Sequence, residues 1–376
     1  MKIMIRILAI TVALAFAGIV VASMRCGPGQ PCVFLPVVTS QATSSATAVL
    51  PPTATSTLPP TITATPMPTV TPVPPPSPTP TGNPQPTTIV GLAILGDSTQ
   101  DEYRADNPRG GDYGATTFNW VELLAIVRDI NVGAWGTRPE PRRSGYAFNW
   151  ARSGATSDQM INDGQHTGTA RQILDGDVSH AVIQIGINDF YFSGLGLEIY
   201  EGTVTGEQLR ARLDAIANNI ITAARTLQET ERCAVLVAAT QDYLTLPVVP
   251  ELYVAYSDPA GRQRFVDAVA YLNQALERLS AEAGVTFFDF NAAYLAEIQG
   301  RLDNDGLLMV GGERIDVRTR GDNPRFGLLD DGYVHPGTVL SGLYAKVYIE
   351  AFNRSFGTAI TPLTDNEILQ AAGIRP

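Results

Sequence analysis

From Cys26 to Gly96 the chain carries not one charged residue, and between Pro51 and Pro86 fourteen positions are proline. Proline fixes φ and removes a backbone donor, threonine fills much of the remainder, and such a stretch cannot bury enough apolar surface to offset the entropy of folding. Residues 26–88 are therefore expected to be a Pro/Thr-rich disordered stalk of polyproline type, with Thr and Ser hydroxyls open to glycosylation, or else a dispensable leader. A folded core is thereby confined to residues 89–376. Ahead of the stalk, in residues 1–25, Lys2 and Arg6 precede an apolar run from Ile7 to Ala22. This run reads as an export signal cleaved after Ala22, or as an uncleaved anchor that tethers the protein to a membrane. Arg25 stands directly before Cys26, where lipid attachment would want a small residue. Cys26 and Cys32 then read as a local disulfide formed outside the cytoplasm, and the protein as extracellular or displayed on the cell surface.

All 37 acidic residues but only 23 of the 26 basic ones lie in residues 89–376, a formal charge of −14. A surface of that sign excludes nucleic acid as an expected partner and disfavours anionic polymers. The remaining cysteine, Cys233, lies inside an apolar run and is read as a small buried hydrophobe rather than a nucleophile.

Within the foldable part, apolar stretches rich in β-branched residues recur at Ile89 to Leu95, Ala181 to Ile185, Ala234 to Ala239 and Val285 to Phe290, with a fifth around Tyr146 to Trp150. Between them fall helical patterns at Thr117 to Asp129, Thr169 to Leu174, Gly206 to Thr230 and Pro259 to Ala283; in the last, Phe265, Val269, Leu272, Leu276 and Leu279 share one face. Continuously apolar strands separated by helices predict a mostly parallel five-stranded sheet covered on both faces, an α/β/α sandwich. Leu307 to Val310 and Arg314 to Val317, flanking Gly311-Gly312, predict a hairpin. Gly337 to Phe352 predicts the last long helix.

In such a sheet, ligands gather beyond the C-terminal strand ends, where loops and helix N-termini present unpaired donors. Four short segments fall there. Gly96-Asp97-Ser98 closes the first strand, and Ser98 can expose both its hydroxyl and its own N–H. Asn149 to Gly154 follows the fifth run, and Gly154 lets backbone approach a ligand closely. Gly186-Ile187-Asn188-Asp189 follows the strand at 181–185, and the Asn188 amide is a neutral donor suited to developing negative charge. His335-Pro336 lies near the C-terminus. Of the three histidines, His166 sits in a polar stretch and His180 just ahead of a strand, where surface or structural roles are expected. His335, between Asp330-Asp331 and a helix start, is the natural general base for a serine hydroxyl.

Taken together, these residues resemble the GDSL/SGNH hydrolase family, whose four blocks carry Ser, Gly, Asn and His in this chain order on a flavodoxin-like three-layer fold. The resemblance covers roughly residues 89–355 and implies Ser98 as nucleophile, an oxyanion hole from Ser98 N–H, Gly154 and Asn188, and His335 as base. Asn149 also fits the usual Asn-to-Gly spacing of the second block. Two positions depart from the pattern: Thr99 replaces the leucine of the name motif, and Gly332 occupies the position of the aspartate three residues before the histidine. Asp331 is the favoured partner for the imidazole, with Asp330 or a backbone carbonyl as alternatives.

The expected chemistry is hydrolysis of a carboxylic ester, small or polymer-attached, with no metal or cofactor. Asp303-Asn304-Asp305-Gly306 lacks the later acidic ligand of a calcium loop and is read as a polar turn. Phe190 to Phe192 is the expected acyl or sugar pocket. A second class of reading is a non-catalytic extracellular module on the same fold that binds carbohydrate or wall polymer, for which Gly332 is the main support. A phosphate or nucleotide binder lacks both the phosphate-loop lysine pattern and a Gly-x-Gly-x-x-Gly run.

Overall fold

The chain divides into two units, residues 1–77 and 78–376. The structure, a computed structural model, describes residues 23–25, 33–35, 85–105, 108–190, 194–242, 257–331 and 335–375. The apolar run at 7–22, both Cys26 and Cys32, and nearly all of the Pro/Thr-rich stretch lie outside the described residues, as do Tyr191, Phe192 and Gly332. In the first unit, β1 (Ser23–Arg25) and β2 (Val33–Leu35) pair antiparallel, with Met24 opposite Phe34.

The second unit is built on four parallel strands, β3 (Leu92–Gly96), β6 (His180–Gln184), β7 (Ala234–Ala238) and β8 (Thr286–Phe288), adjacent in that order. Leu92 faces His180, His180 faces Ala234, and Leu236 faces Thr286, so the strands end level. Every residue of β3, β6 and β7 is buried, which requires cover on both faces and explains why their sequences do not alternate.

The sheet has four strands rather than the five expected. The fifth run lies on the outer side of β3 and begins a parallel ladder: Ile94 N–H donates to Phe148 O (3.1 Å), and Trp150 and Arg152 N–H donate to Ile94 O and Gly96 O. Only the single bridge between Ile94 and Asn149 forms. Arg152 N–H still reaches Gly96 O, but Gly96 N–H donates to Gln165 Oε1 at 3.0 Å, so the bond that the next bridge needs is missing and the ladder stops. Counting this segment, the spatial order is that of a flavodoxin-like sheet.

Helices α1 (Trp120–Arg128), α7 (Phe290–Gln299), α8 (Thr338–Phe356) and α9 (Asp365–Ala371) form one packed set around α8. A second set comprises α2 (Ser157–Asn162), α3 (Gln165–Leu174), α4 (Leu195–Glu201), α5 (Gly206–Gln228) and α6 (Pro259–Ala283). Local sequence explains their limits. Asn119 and Glu122 form a reciprocal capping box at the start of α1. Asp258 caps α6, Pro259 opens it, and Gly284, at φ 68°, closes it in a conformation that costs other residues strain. Of the predicted stripe on α6, Phe265, Val269, Leu272 and Leu276 are buried, and Leu279 is partly so.

Three small strands complete the unit's C-terminal part. The predicted hairpin forms between β9 (Leu308–Val310) and β10 (Glu313–Arg320), with Val310 opposite Glu313, and β11 (Phe326–Leu328) runs parallel to β10. A separate ribbon joins β4 (Trp135–Thr137) to β5 (Ser144–Tyr146). In the 303–306 turn, Asp303 accepts from the N–H groups of Asp305 and Leu307 and pairs with Arg314. Cys233 is buried and unpaired, and burial pushes its thiol far above the ordinary value. Among the described residues no helix is long and apolar enough to cross a membrane.

Candidate active site

Ser98 stands in the turn immediately after β3, where Gln100 and Asp101 N–H both fold back onto Asp97 O. The turn is anchored from below. Asp97 is buried and its carboxylate accepts from Thr99 N–H, while Gln100 reaches back to accept from Asp97 N–H and donates to Gln184 at 2.7 Å. Thr99, where the family has leucine, is 2% exposed, so the departure sits beneath the turn and not in the cleft.

The imidazole of His335 reaches Ser98 across 237 residues of sequence: Nε2 lies 2.7 Å from Ser98 Oγ. On its other side, Nδ1 lies 2.5 Å from Asp331 Oδ2. Asp330 is exposed and makes no hydrogen bond or ion pair among the described residues. The loop that carries the pair is tied at its neck. Leu329 N–H donates to His335 O, Leu328 bridges Pro336, and Gly337 N–H donates to Gly327 O at 2.7 Å before α8 begins. Burial pushes the imidazole below its ordinary value; the Asp331 hydrogen bond opposes that shift, and the nearby Arg109 charge adds to it.

Gly154 adopts φ 84°, and a Cβ there would meet nothing within 4 Å, so the left-handed backbone alone, rather than crowding, demands glycine. Neither the Ser98 nor the Gly154 N–H donates a hydrogen bond among the described residues. Asn188 donates from Nδ2 to Ala155 O at 2.9 Å, which fastens it to the residue after Gly154. An amide nitrogen carries two donors, so one N–H of Asn188 is left for another acceptor. The neighbouring Asp189 accepts from both the N–H and the hydroxyl of Ser157 at the start of α2. Asn149 donates to Gln100 O at 2.8 Å, and Asp101 accepts from Ser153 N–H at 2.7 Å, so the second segment is stitched to the nucleophile turn twice.

The four predicted segments are thus brought to one end of the sheet, with Ser98, His335 and Asp331 in a single hydrogen-bonded line. Such a line can draw a proton from a serine hydroxyl and stabilise the imidazolium that results, while neighbouring unpaired N–H groups can receive an oxyanion. His166 and His180 take no part: both are buried, His180 Nδ1 meets Ser179 Oγ at 2.9 Å, and burial pushes its imidazole down to about 4.

Two readings of the sequence need correction or extension. Phe190 is 1% exposed and packs edge-on against Phe265, so it belongs to the core and cannot line a pocket; Trp120 and Tyr103 are buried likewise. A polar cleft of about 310 Å³ adjoins the site at Gly154 and is lined also by Glu140, Arg152, Ser153, Gln159 and Asp163. Arg109 was not legible as a site residue. It follows an Asn-Pro pair in a loop, a position with no local pattern, yet its guanidinium reaches Asp331, Ser98 and Ser153.

The parallel sheet and the chain order Ser98, Gly154, Asn188, His335 resemble those of the GDSL/SGNH hydrolases, ester-cleaving enzymes of the serine type. No family model matches the chain, and no curated protein does so either. Among solved structures it is similar to the acetylxylan esterase Axe2 of Geobacillus stearothermophilus, at 17% identity and TM-score 0.40 over 70% of this chain and 93% of that one. It is also similar to phospholipase A1 of Streptomyces albidoflavus NA297 (16%, 0.38, 70% and 99%) and to the lipase Lip_vut3 from a goat rumen metagenome (13%, 0.41, 69% and 96%). At values this low, the chemistry is read from this chain's own residues.

Proposed function

We propose that the second unit hydrolyses carboxylic esters through an acyl-enzyme on Ser98, and that the protein is exported and acts outside the cell. The observation that carries this reading is the 2.7 Å contact of His335 Nε2 with Ser98 Oγ, in line with Asp331 on the far side of the ring. His335 takes the Ser98 proton as Oγ attacks the ester carbonyl. The oxyanion is received by Ser98 N–H, Gly154 N–H and the Asn188 amide, and the imidazolium returns its proton to the leaving alcohol. Water, deprotonated by the same imidazole, then releases the acid.

The polar cleft at Gly154 suits a hydroxyl-rich alcohol portion of the ester. An alkyl chain laid there would strip water from Glu140, Arg152 and Asp163 without supplying partners, which is costly. The alternative of a non-catalytic carbohydrate- or wall-binding module drew its support from Gly332, and Asp331 beside His335 removes the need for an aspartate there.

The test is covalent labelling with a fluorophosphonate, compared with Ser98→Ala and His335→Ala. Label on Ser98 that requires His335 is expected, together with turnover of p-nitrophenyl acetate. A folded protein that neither labels nor turns over ester would overturn the proposal.

A further inference from the structure

The geometry points to Arg109 as a positioning residue that holds the acid–base pair and the oxyanion donors in register, an inference that rests on the ester-hydrolase reading. One guanidinium touches three of the four site-bearing segments. Its Nε lies 3.3 Å from Asp331 Oδ2, its Nη1 donates to Ser98 O at 3.1 Å, and its Nη2 donates to Ser153 Oγ at 3.3 Å. The side chain is only 7% exposed. It lies over the Tyr103 ring, 4.7 Å from the centroid, and that ring meets His335 edge-on at 6.2 Å. Its own backbone N–H donates to Tyr103 O, so both ends of the residue are held.

A buried cation is costly unless it is paired and its donors are used, and a surface arginine gains little from such a place. Here all three polar contacts of the guanidinium fall on segments that carry the site. Ser98 carries one backbone donor and Ser153 directly precedes the other, Gly154, so Nη1 and Nη2 tie together the two segments that present them. Nε shares Asp331 Oδ2 with His335 Nδ1, which fixes the carboxylate against the ring and withdraws part of its charge from the imidazolium. The charged groups acting on His335 are then Asp331 and Asp101, which favour the proton, and Arg109, which opposes it; the Tyr103 ring adds an apolar wall. Lysine cannot reproduce this, because a single ammonium cannot reach three acceptors in a plane.

The experiment measures kcat and KM for p-nitrophenyl acetate across pH in the wild-type protein, Arg109→Lys and Arg109→Met. We expect kcat to fall at least about tenfold in both variants with KM within about threefold, because register rather than substrate binding is lost. The acid limb of kcat/KM moves to higher pH in Arg109→Met, since the charge opposing the imidazolium is gone, and less in Arg109→Lys. A purely structural role would lower thermal stability without moving that limb. If either folded variant keeps kcat within about threefold of wild type and an unmoved limb, the inference is overturned, and Arg109→Lys, which keeps stem and charge, carries this test should Arg109→Met not fold. Wild-type protein that neither labels nor turns over ester would instead bring down the hydrolase reading, and this role with it.

Discussion

His335 Nδ1 meets Asp331 Oδ2 at 2.5 Å across four positions of sequence, one more than the spacing of the family block. The extra residue is accommodated because the loop is closed at its base by Leu329 N–H to His335 O and the bridge between Leu328 and Pro336. The neck fixes where the imidazole emerges, and the loop length only has to return a carboxylate to it. Asp331→Asn is therefore expected to lower kcat at least about tenfold, because the amide cannot stabilise the imidazolium, while Asp330→Asn leaves kcat within about twofold. If neither substitution lowers kcat for an ester at least about tenfold, a Ser–His dyad stands instead.

The two proposed oxyanion donors outside the nucleophile turn, Gly154 and Asn188, are expected to respond differently to substitution. Gly154→Ala places a methyl in open space but asks alanine to hold φ 84°, at a cost of about 1–2 kcal/mol. The backbone relaxes away from that conformation and carries its N–H off the oxyanion, so kcat should fall with little change in melting temperature. Asn188→Ala removes a side-chain donor and the bond to Ala155 O together, and a fall of about 10²-fold or more in kcat is expected. Steady-state kinetics beside a thermal melt separates the two.

The proposed mechanism requires neutral His335, and burial holds its imidazole below the ordinary value. Protonation therefore sets in only at lower pH than for a free imidazole, and activity persists into mildly acidic solution. In a pH profile of kcat/KM the acid limb should lie below about 6.5. A limb at or above that value would contradict the electrostatics of the site.

Two buried carboxyls shape stability with the opposite sign to the usual aspartate. Burial pushes Asp97 up to about 7 and Glu102 up to about 8, so the native chain keeps protons that the unfolded chain releases near its ordinary carboxylate values. Folding then binds protons across that interval, and stability falls as pH rises from the carboxylate range toward 7–8. Denaturant melts between pH 5 and about 8 should show the decline, and Glu102→Gln, which keeps an acceptor for Tyr146 N–H, should flatten it.

The strands and main helices were legible because their patterns are local. Pro259–Ala283 was bounded by its own Asp-Pro cap and glycine stop, and the runs at 92–96, 180–184 and 234–238 are buried on both faces wherever they are placed in a covered parallel sheet. Ser98, Gly154, Asn188 and His335 were legible through their order along the chain, which resembles the GDSL/SGNH blocks, and Ser98, Asn188 and His335 also lie close to strand or helix limits written in adjacent residues. The fifth run falls short of a strand although its apolar character is real, because the Gln165 side chain takes the Gly96 N–H and the ladder stops after one bridge.

Sequence by itself determined which segments become strands and helices and which residue types stand at their ends, because propensity, capping and apolar period act over a few neighbours. Only the tertiary structure placed Asp331 rather than Asp330 beside His335, moved Phe190 into the core, and delivered Arg109 to Asp331, Ser98 and Ser153. Those outcomes depend on contacts between residues as many as hundreds of positions apart. No local pattern encodes the direction in which a loop returns its side chain.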